Sequence, residues 1–208
     1  MKTKIIPADD PQALALGLET LQKGGVVAFP TDTVYGLGCQ VSQPDSIDRL
    51  YEIKGRDASK PIAVLLGGIE QLPQVTAGLG KTANRLAARF WPGALTLVIA
   101  GNPVLPKNLS PLPTIGVRMP DHPFALALLR QAGPLATTSA NLSGMPSPVT
   151  AQDVLAQLNQ RVDLIIDGGL CPGGVPSTVV DCTGADPRVL REGAITRAML
   201  QTVLGENF

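Results

Sequence analysis

Short apolar runs alternate along the chain with longer segments whose apolar residues recur every three or four positions. "DPQALALGLETLQKGG" puts Leu14, Leu18 and Leu21 on one face. Asp10 at the N-cap, Pro11 at the first helical position and the double glycine predict a helix bounded by those signals. "VVAF" follows as a buried strand that runs into the glycine-rich bend "FPTDTVYGLGC". "PDSIDRLYEIKG" predicts a second helix with Ile47, Leu50 and Tyr51 facing inward, stopped by Gly55, with Lys54 and Arg56 at its C-terminal end.

The same alternation continues. "PIAVLL", "ALTLVIA", "TIGVRMP" and "PLATTSA" read as strands, with "KTANRLAARFW" and "HPFALALLRQAG" as helices between them. The proline-broken stretch "GNPVLPKNLSPLP", residues 101–113, reads as an exposed loop. Thr150 and Asp153 form a capping-box pattern ahead of "AQDVLAQL". "VDLIIDGG", "STVVDCT" and "RVLRE" are three strands in close succession, which predicts that part of the sheet is antiparallel, and "AITRAMLQTVLG" is a last helix. Interleaved strands and helices without repeat or linker predict a single α/β domain over residues 1–208, built on a mixed parallel and antiparallel sheet with flanking helices.

Composition narrows the function classes. Lysine plus arginine equals aspartate plus glutamate at 17 each, so attraction to nucleic acid or membrane is not a bulk property and any basic patch is local. No apolar run is long enough to span a bilayer, and the N-terminus lacks a signal-peptide pattern. With no export signal, three cysteines without a C-x-x-C pair fit reduced thiols in the cytoplasm. Cys39 is placed beside the glycine-rich bend as an ordinary buried thiol.

Three features that resemble sites lack the rest of their pattern. "GKT" at residues 80–82 has Val75 where a P-loop needs glycine, and reads as a helix start. His122, the sole histidine, has no nucleophile elbow to serve and also reads as a helix start. One histidine and scattered cysteines offer no metal-ligand spacing. What remains is a set of cations and small polar residues where strands give way to turns: Lys54, Arg56 and Lys60; Arg118; Ser139, Asn141 and Ser143; Ser177 and Thr178; Arg191. Guanidinium and ammonium groups neutralise phosphate oxygens, while hydroxyls and glycine-turn amides complete an anion nest. The cation trio after the second helix also reads as a solvated face favoured by the helix dipole.

Seven segments in order, "FPTDTVYGLG", "LYEIKGRDASKP", "FWPGALTLV", "VRMPDHP", "TSANLSGMPSP", "STVVD" and "LREGAIT", resemble the threonylcarbamoyl-AMP synthase family, the YrdC-like domain. The resemblance runs from about Ile5 to Ala198 and implies a twisted mixed sheet around a large cationic cavity. It implies synthesis of threonylcarbamoyl-adenylate from L-threonine, bicarbonate or CO2, and ATP with Mg²⁺, releasing pyrophosphate. A separate transferase complex would then modify tRNA, and direct tRNA contact is open.

The family's K-x-R and S-x-N signatures fall on Lys54-Gly55-Arg56 and Ser139-Ala140-Asn141. By resemblance, Lys54, Arg56, Ser139 and Asn141 are catalytic. ATP falls to Arg56, Lys60, Asn141, Ser143, Ser177 and Arg191, and threonine to Thr33, Arg118 and Ser139. Glu192 stands where many relatives have proline, and the second domain that covers the site in longer members is expected to be missing here. Two rival functions follow from the same residues: a carbamoyl-adenylate-forming domain, and an RNA-binding module. The few aromatic residues argue against base stacking on extended single strands.

Overall fold

The structure, a computed structural model, describes residues 2–205. Its strands are β1 (Lys4–Pro7), β2 (Val27–Phe29), β3 (Gly36–Gln40), β4 (Ala63–Leu65), β5 (Leu95–Ala100), β6 (Thr114–Arg118), β7 (Leu135–Ser139), β8 (Leu164–Asp167), β9 (Thr178–Asp181) and β10 (Arg188–Arg191). The helices are α1 (Ala13–Gln22), α2 (Pro44–Lys54), α3 (Lys81–Phe90), α4 (Pro123–Ala132), α5 (Ala151–Leu158) and α6 (Arg197–Leu204), with a 3-10 segment at Ile69–Gln74. The strands form one sheet in the order β1-β8-β2-β3-β7-β4-β6-β5-β9-β10. β1–β8, β2–β8, β4–β6 and β5–β9 are parallel; β2–β3, β3–β7, β4–β7, β5–β6 and β9–β10 are antiparallel. The mixed sheet predicted from the alternation is therefore present. Among the described residues no helix is long and apolar enough to cross a membrane.

Helix signals hold with one shift. Gly55 ends α2 in the left-handed conformation at φ 56°, and Thr150 and Asp153 close a capping box on α5 with bonds of 3.1 and 2.9 Å. α1 begins later than its signals imply: Asp10 Oδ1 accepts from the Gln12 amide at 2.8 Å in a preceding turn, and the N-cap is Gln12. His122 caps α4, and "GKT" opens α3, as read.

Strand signals were less complete. β1 and β3 were not anticipated, and β3 lies inside the segment read as a bend. It is a strand because it pairs on both sides, with β2 and β7, and because Gly36 and Gly38 leave room for Phe29. A Cβ added to Gly38 would stand 2.9 Å from the Phe29 ring. Of the last three strands, β9 and β10 pair antiparallel, as their closeness in sequence implies, whereas β8 is parallel to β1 and β2, far from β9.

Strand alternation sends side chains to two different fates. One face carries Leu37, Cys39, Val64, Leu95, Leu97, Val117, Ala136 and Val180 into the larger core, with residues of α2, α3, α5 and α6 packed over them. The other face is covered by α1 and α4 only at one end, over Val27, Phe29, Leu65, Leu135, Leu164 and Ile166. Beyond that end its residues turn small or polar: Ala63, Thr96, Gly116, Thr137 and Ser139. No helix covers them, and a cavity remains.

Candidate active site

The cavity has a volume of about 360 Å³. Its floor is the uncovered sheet face, every second residue of several strands: Ala63 and Leu65, Thr96 and Val98, Gly116 and Arg118, Thr137 and Ser139. Three guanidinium groups, Arg56, Arg118 and Arg191, line it, and no carboxylate does. Burial holds each of the three below the usual arginine range. Arg56 adds to the effect on Arg191, and Arg191 to that on Arg118, so the three charges sense one another across the space. Asp32 offsets Arg118 from behind the lining, but three like charges round one cavity with a single acid between them favour an anionic occupant.

Each arginine is held by a different device. Arg118, at the end of β6, donates Nε to Gly93 O at 2.9 Å, Nη1 to Thr33 Oγ1 at 2.9 Å and Nη2 to Asp32 Oδ1. Asp32 also accepts from the Asp121 amide at 3.0 Å, and Thr33 is tied to Thr31 at 3.0 Å, so the "PTDT" loop is the cradle for this guanidinium. Arg191, on β10, donates Nε and Nη2 to Ser177 O at 3.0 and 2.8 Å, and Nη2 to Ser177 Oγ at 3.2 Å. Ser177 Oγ in turn shares a 2.8 Å bond with Thr96 Oγ1 on β5. Arg56 lies in the loop after α2 and donates to Lys60 O at 3.3 Å and Pro61 O at 3.0 Å. Its fork is tied to its own loop.

Of the residues singled out from sequence, Thr33, Arg56, Arg118, Ser139, Ser177 and Arg191 line the cavity together. Lys60 is exposed, one position before the lining residue Pro61. Lys54, Asn141 and Ser143 are not lining residues. Lys54 is 2% exposed and donates Nζ to Ser139 O at 2.6 Å, Asn141 O at 2.5 Å and Asn141 Oδ1 at 3.3 Å. Asn141 spends its amide on Leu142 O and Met145 O at 2.8 and 2.7 Å, and the Ser143 amide donates to Lys54 O at 2.8 Å.

Asp32 and Thr96, which hold Arg118 and Ser177, are the residues of this arrangement that sequence reasoning passed over. Asp32 was legible as the one acid inside a glycine- and threonine-rich bend, and Thr96 as the polar break in the alternation of "ALTLVIA". Cys39, expected beside the cavity, points to the opposite face, where burial pushes its thiol up to about 12. Trp91 packs against the core with Nε1 donating to Leu95 O at 2.7 Å. Among the described residues no group of histidine, cysteine or acidic side chains is placed to hold a metal ion.

Known proteins share this fold. A family model for Sua5, YciO and YrdC proteins, described as "Telomere recombination", matches residues 19–193. The threonylcarbamoyl-AMP synthase of Bacillus subtilis is 44% identical over 98% of this chain, which spans 59% of that protein's length. The crystal structure of P. abyssi Sua5 complexed with L-threonine superposes with a TM-score of 0.91 at 37% identity, covering 99% of this chain and 61% of that one. The crystal structure of E. coli YciO gives 0.83 at 32% identity, covering 93% of this chain and 96% of that one. With a family model across most of its length and these relatives over nearly all of it, the chain belongs to the Sua5/YciO/YrdC family.

Proposed function

We propose that this chain makes threonylcarbamoyl-AMP from L-threonine, bicarbonate or CO2, and ATP. The observation that carries the reading is the cavity with three arginines and no lining carboxylate. In the reaction the neutral threonine amine adds to CO2 and gives up a proton to solvent, or to bicarbonate with loss of water, to give a carbamate. A carbamate oxygen then attacks the α-phosphorus of ATP, and pyrophosphate leaves. The threonine carboxylate, the carbamate, ATP, the adenylate and pyrophosphate all present anionic groups, so fixed cations serve the chemistry more than a general base does.

Arg118, Thr33 and Ser139 form the threonine end: the guanidinium, aimed by Asp32 and Thr33, takes the amino-acid carboxylate. Arg56 and Arg191 neutralise the phosphates, with Ser177 and Thr96 fixing the Arg191 fork and Lys60 reaching in from the mouth. Asn141 and Ser143 serve the nucleotide side through the turn they build. Holding the carbamate and ATP side by side supplies much of the rate, because reacting groups are delivered already oriented. The lining donors do not fit a protein-held Mg²⁺, since hard cations take oxygen ligands from carboxylates and none lines the cavity. Mg²⁺ therefore belongs to the nucleotide substrate, and no step here passes through a protein-bound ion. The product, a mixed anhydride, is consumed by a transferase that delivers the acyl group to tRNA.

The test is pyrophosphate release from ATP, with L-threonine and bicarbonate omitted and restored one at a time. The reading expects release only when both are present, and collapse in Arg56→Ala. Release indifferent to threonine, or none from the folded wild-type protein, removes it.

A further inference from the structure

We infer that Lys54 is a positioning residue, whose ammonium holds the Ser139–Asn141 turn in shape at the cavity wall and binds no phosphate itself. The inference rests on reading the cavity as an adenylation site. Lys54 is the last residue of α2, where the helix ends at Gly55 and the carbonyl end of the dipole favours a cation. From there its stem crosses buried space to the end of β7. An ammonium has three protons, and here three acceptors receive them: Ser139 O, Asn141 O and Asn141 Oδ1. None remains for a substrate oxygen.

The turn depends on that cation. Ser139 is a lining residue, and Asn141 sits two positions beyond it, gathered under Lys54. The other bonds of the turn are neutral: the Ala140 amide to Tyr35 O at 2.9 Å, the Leu142 amide to Gln157 Oε1 at 3.1 Å, and the Ser143 amide to Lys54 O at 2.8 Å. Removing the ammonium takes the donor from three oxygens at once, two of them at the buried Asn141.

The charged groups around it are Arg56, which acts on it from the following loop, and Arg161, which donates to Ile53 O at 3.4 Å from the segment after α5. Glu52 on α2 is exposed, and β7 brings no charged side chain. Burial, and then Arg56, push the Lys54 ammonium down to about 8.

Lys54→Met removes the donors and keeps the stem. Two readouts separate positioning from phosphate binding: the equilibrium ATP affinity, and hydrogen exchange of the Ala140, Leu142 and Ser143 amides against β5 amides as internal reference. Positioning predicts turn amides that exchange at least about 10-fold faster, a kcat lowered by about 10-fold or more, and an ATP Kd within about 3-fold of wild type. An ATP Kd weakened by about 10-fold or more, or turn amides as protected as in wild type, overturns it.

Exchange and nucleotide binding need no turnover, so loss of the synthase reading leaves this test intact. If the variant does not fold, wild-type protein is followed with rising pH, correcting exchange for its intrinsic pH dependence. An opened turn that frees Lys54 binds its proton more tightly than the closed one, so protection of the turn should rise between about 8 and 10.5. Turn protection that stays level or falls across that window refutes the assignment.

Discussion

Asp32 offers the sharpest prediction about how the site is held. Its carboxylate is the one acid paired with Arg118, and both side chains are nearly out of solvent, at 14% and 7% exposed. Truncating one partner of a buried pair leaves the other charge uncompensated, at a cost of about 3–5 kcal/mol. Here the guanidinium keeps Gly93 O and Thr33 Oγ1, so the lower end applies, about 3 kcal/mol for Asp32→Ala. In a chain of this size each kcal/mol moves Tm by about 2–4 °C, giving a drop of about 6–12 °C.

Asp32→Asn retains an acceptor for Arg118 and the Asp121 amide while removing the charge, and should fall between Ala and wild type. Thermal unfolding of the three proteins at one salt concentration is the assay. A drop under about 2 °C for Asp32→Ala would show that the pair contributes little and that Arg118 is placed by its neutral partners alone.

Further predictions follow from other parts of the cavity and core. Arg191→Ala removes a guanidinium otherwise free of carboxylates and should weaken ATP binding by roughly 10- to 100-fold in equilibrium titration, with a shallower salt dependence than wild type. Gly38→Ala drives a methyl to 2.9 Å from the Phe29 ring and should cost about 1–3 kcal/mol in denaturant unfolding. Burial pushes the Cys39 and Cys182 thiols up to about 12 and about 11, so native protein should react slowly with a thiol reagent at pH 8 and quickly once unfolded.

Lys54 gives a pH signature of stability with a definite sign. The unfolded chain keeps its lysine proton to 10.5 and the folded one only to about 8, so the unfolded state binds more protons between those values. Stability from this group therefore rises with pH across that window, by at most about 3 kcal/mol from 2.5 pH units, and the three carbonyl acceptors reduce that figure. Unfolding free energies of wild type and Lys54→Met against pH should diverge there. Parallel curves would contradict the shift.

Helices were legible because caps and stops are local chemistry. Gly55, Thr150 with Asp153, and His122 act within a turn of where they stand. The strand β3 was not, since "GLGCQ" has the composition of a bend and becomes a strand only through partners about a hundred residues away on β7 and through Phe29 lying over its glycines. The placement of β8 between β1 and β2 is likewise a property of topology, which proximity in sequence does not reveal.

The site divides along the same line. That arginines and hydroxyls gather where strands end could be read from the chain, and six of those residues do meet in one cavity. The orientation of Lys54 could not, because two of the three atoms that claim it are backbone carbonyls, which leave no mark in sequence. The cavity itself was written in the alternation Thr96-Val98, Gly116-Arg118 and Thr137-Ser139, small and polar where a covered face would be large and apolar. Reading it required the strand order.

The central claim is best tested by isotope tracing: ATP, ¹³C-bicarbonate and ¹⁵N-labelled L-threonine are incubated with the protein, and the adenylates formed are weighed by mass spectrometry. The account predicts one adenylate carrying both labels, formed together with pyrophosphate and lost in Arg118→Ala. An adenylate carrying the carbon label without threonine, or no labelled adenylate from folded protein, would contradict it.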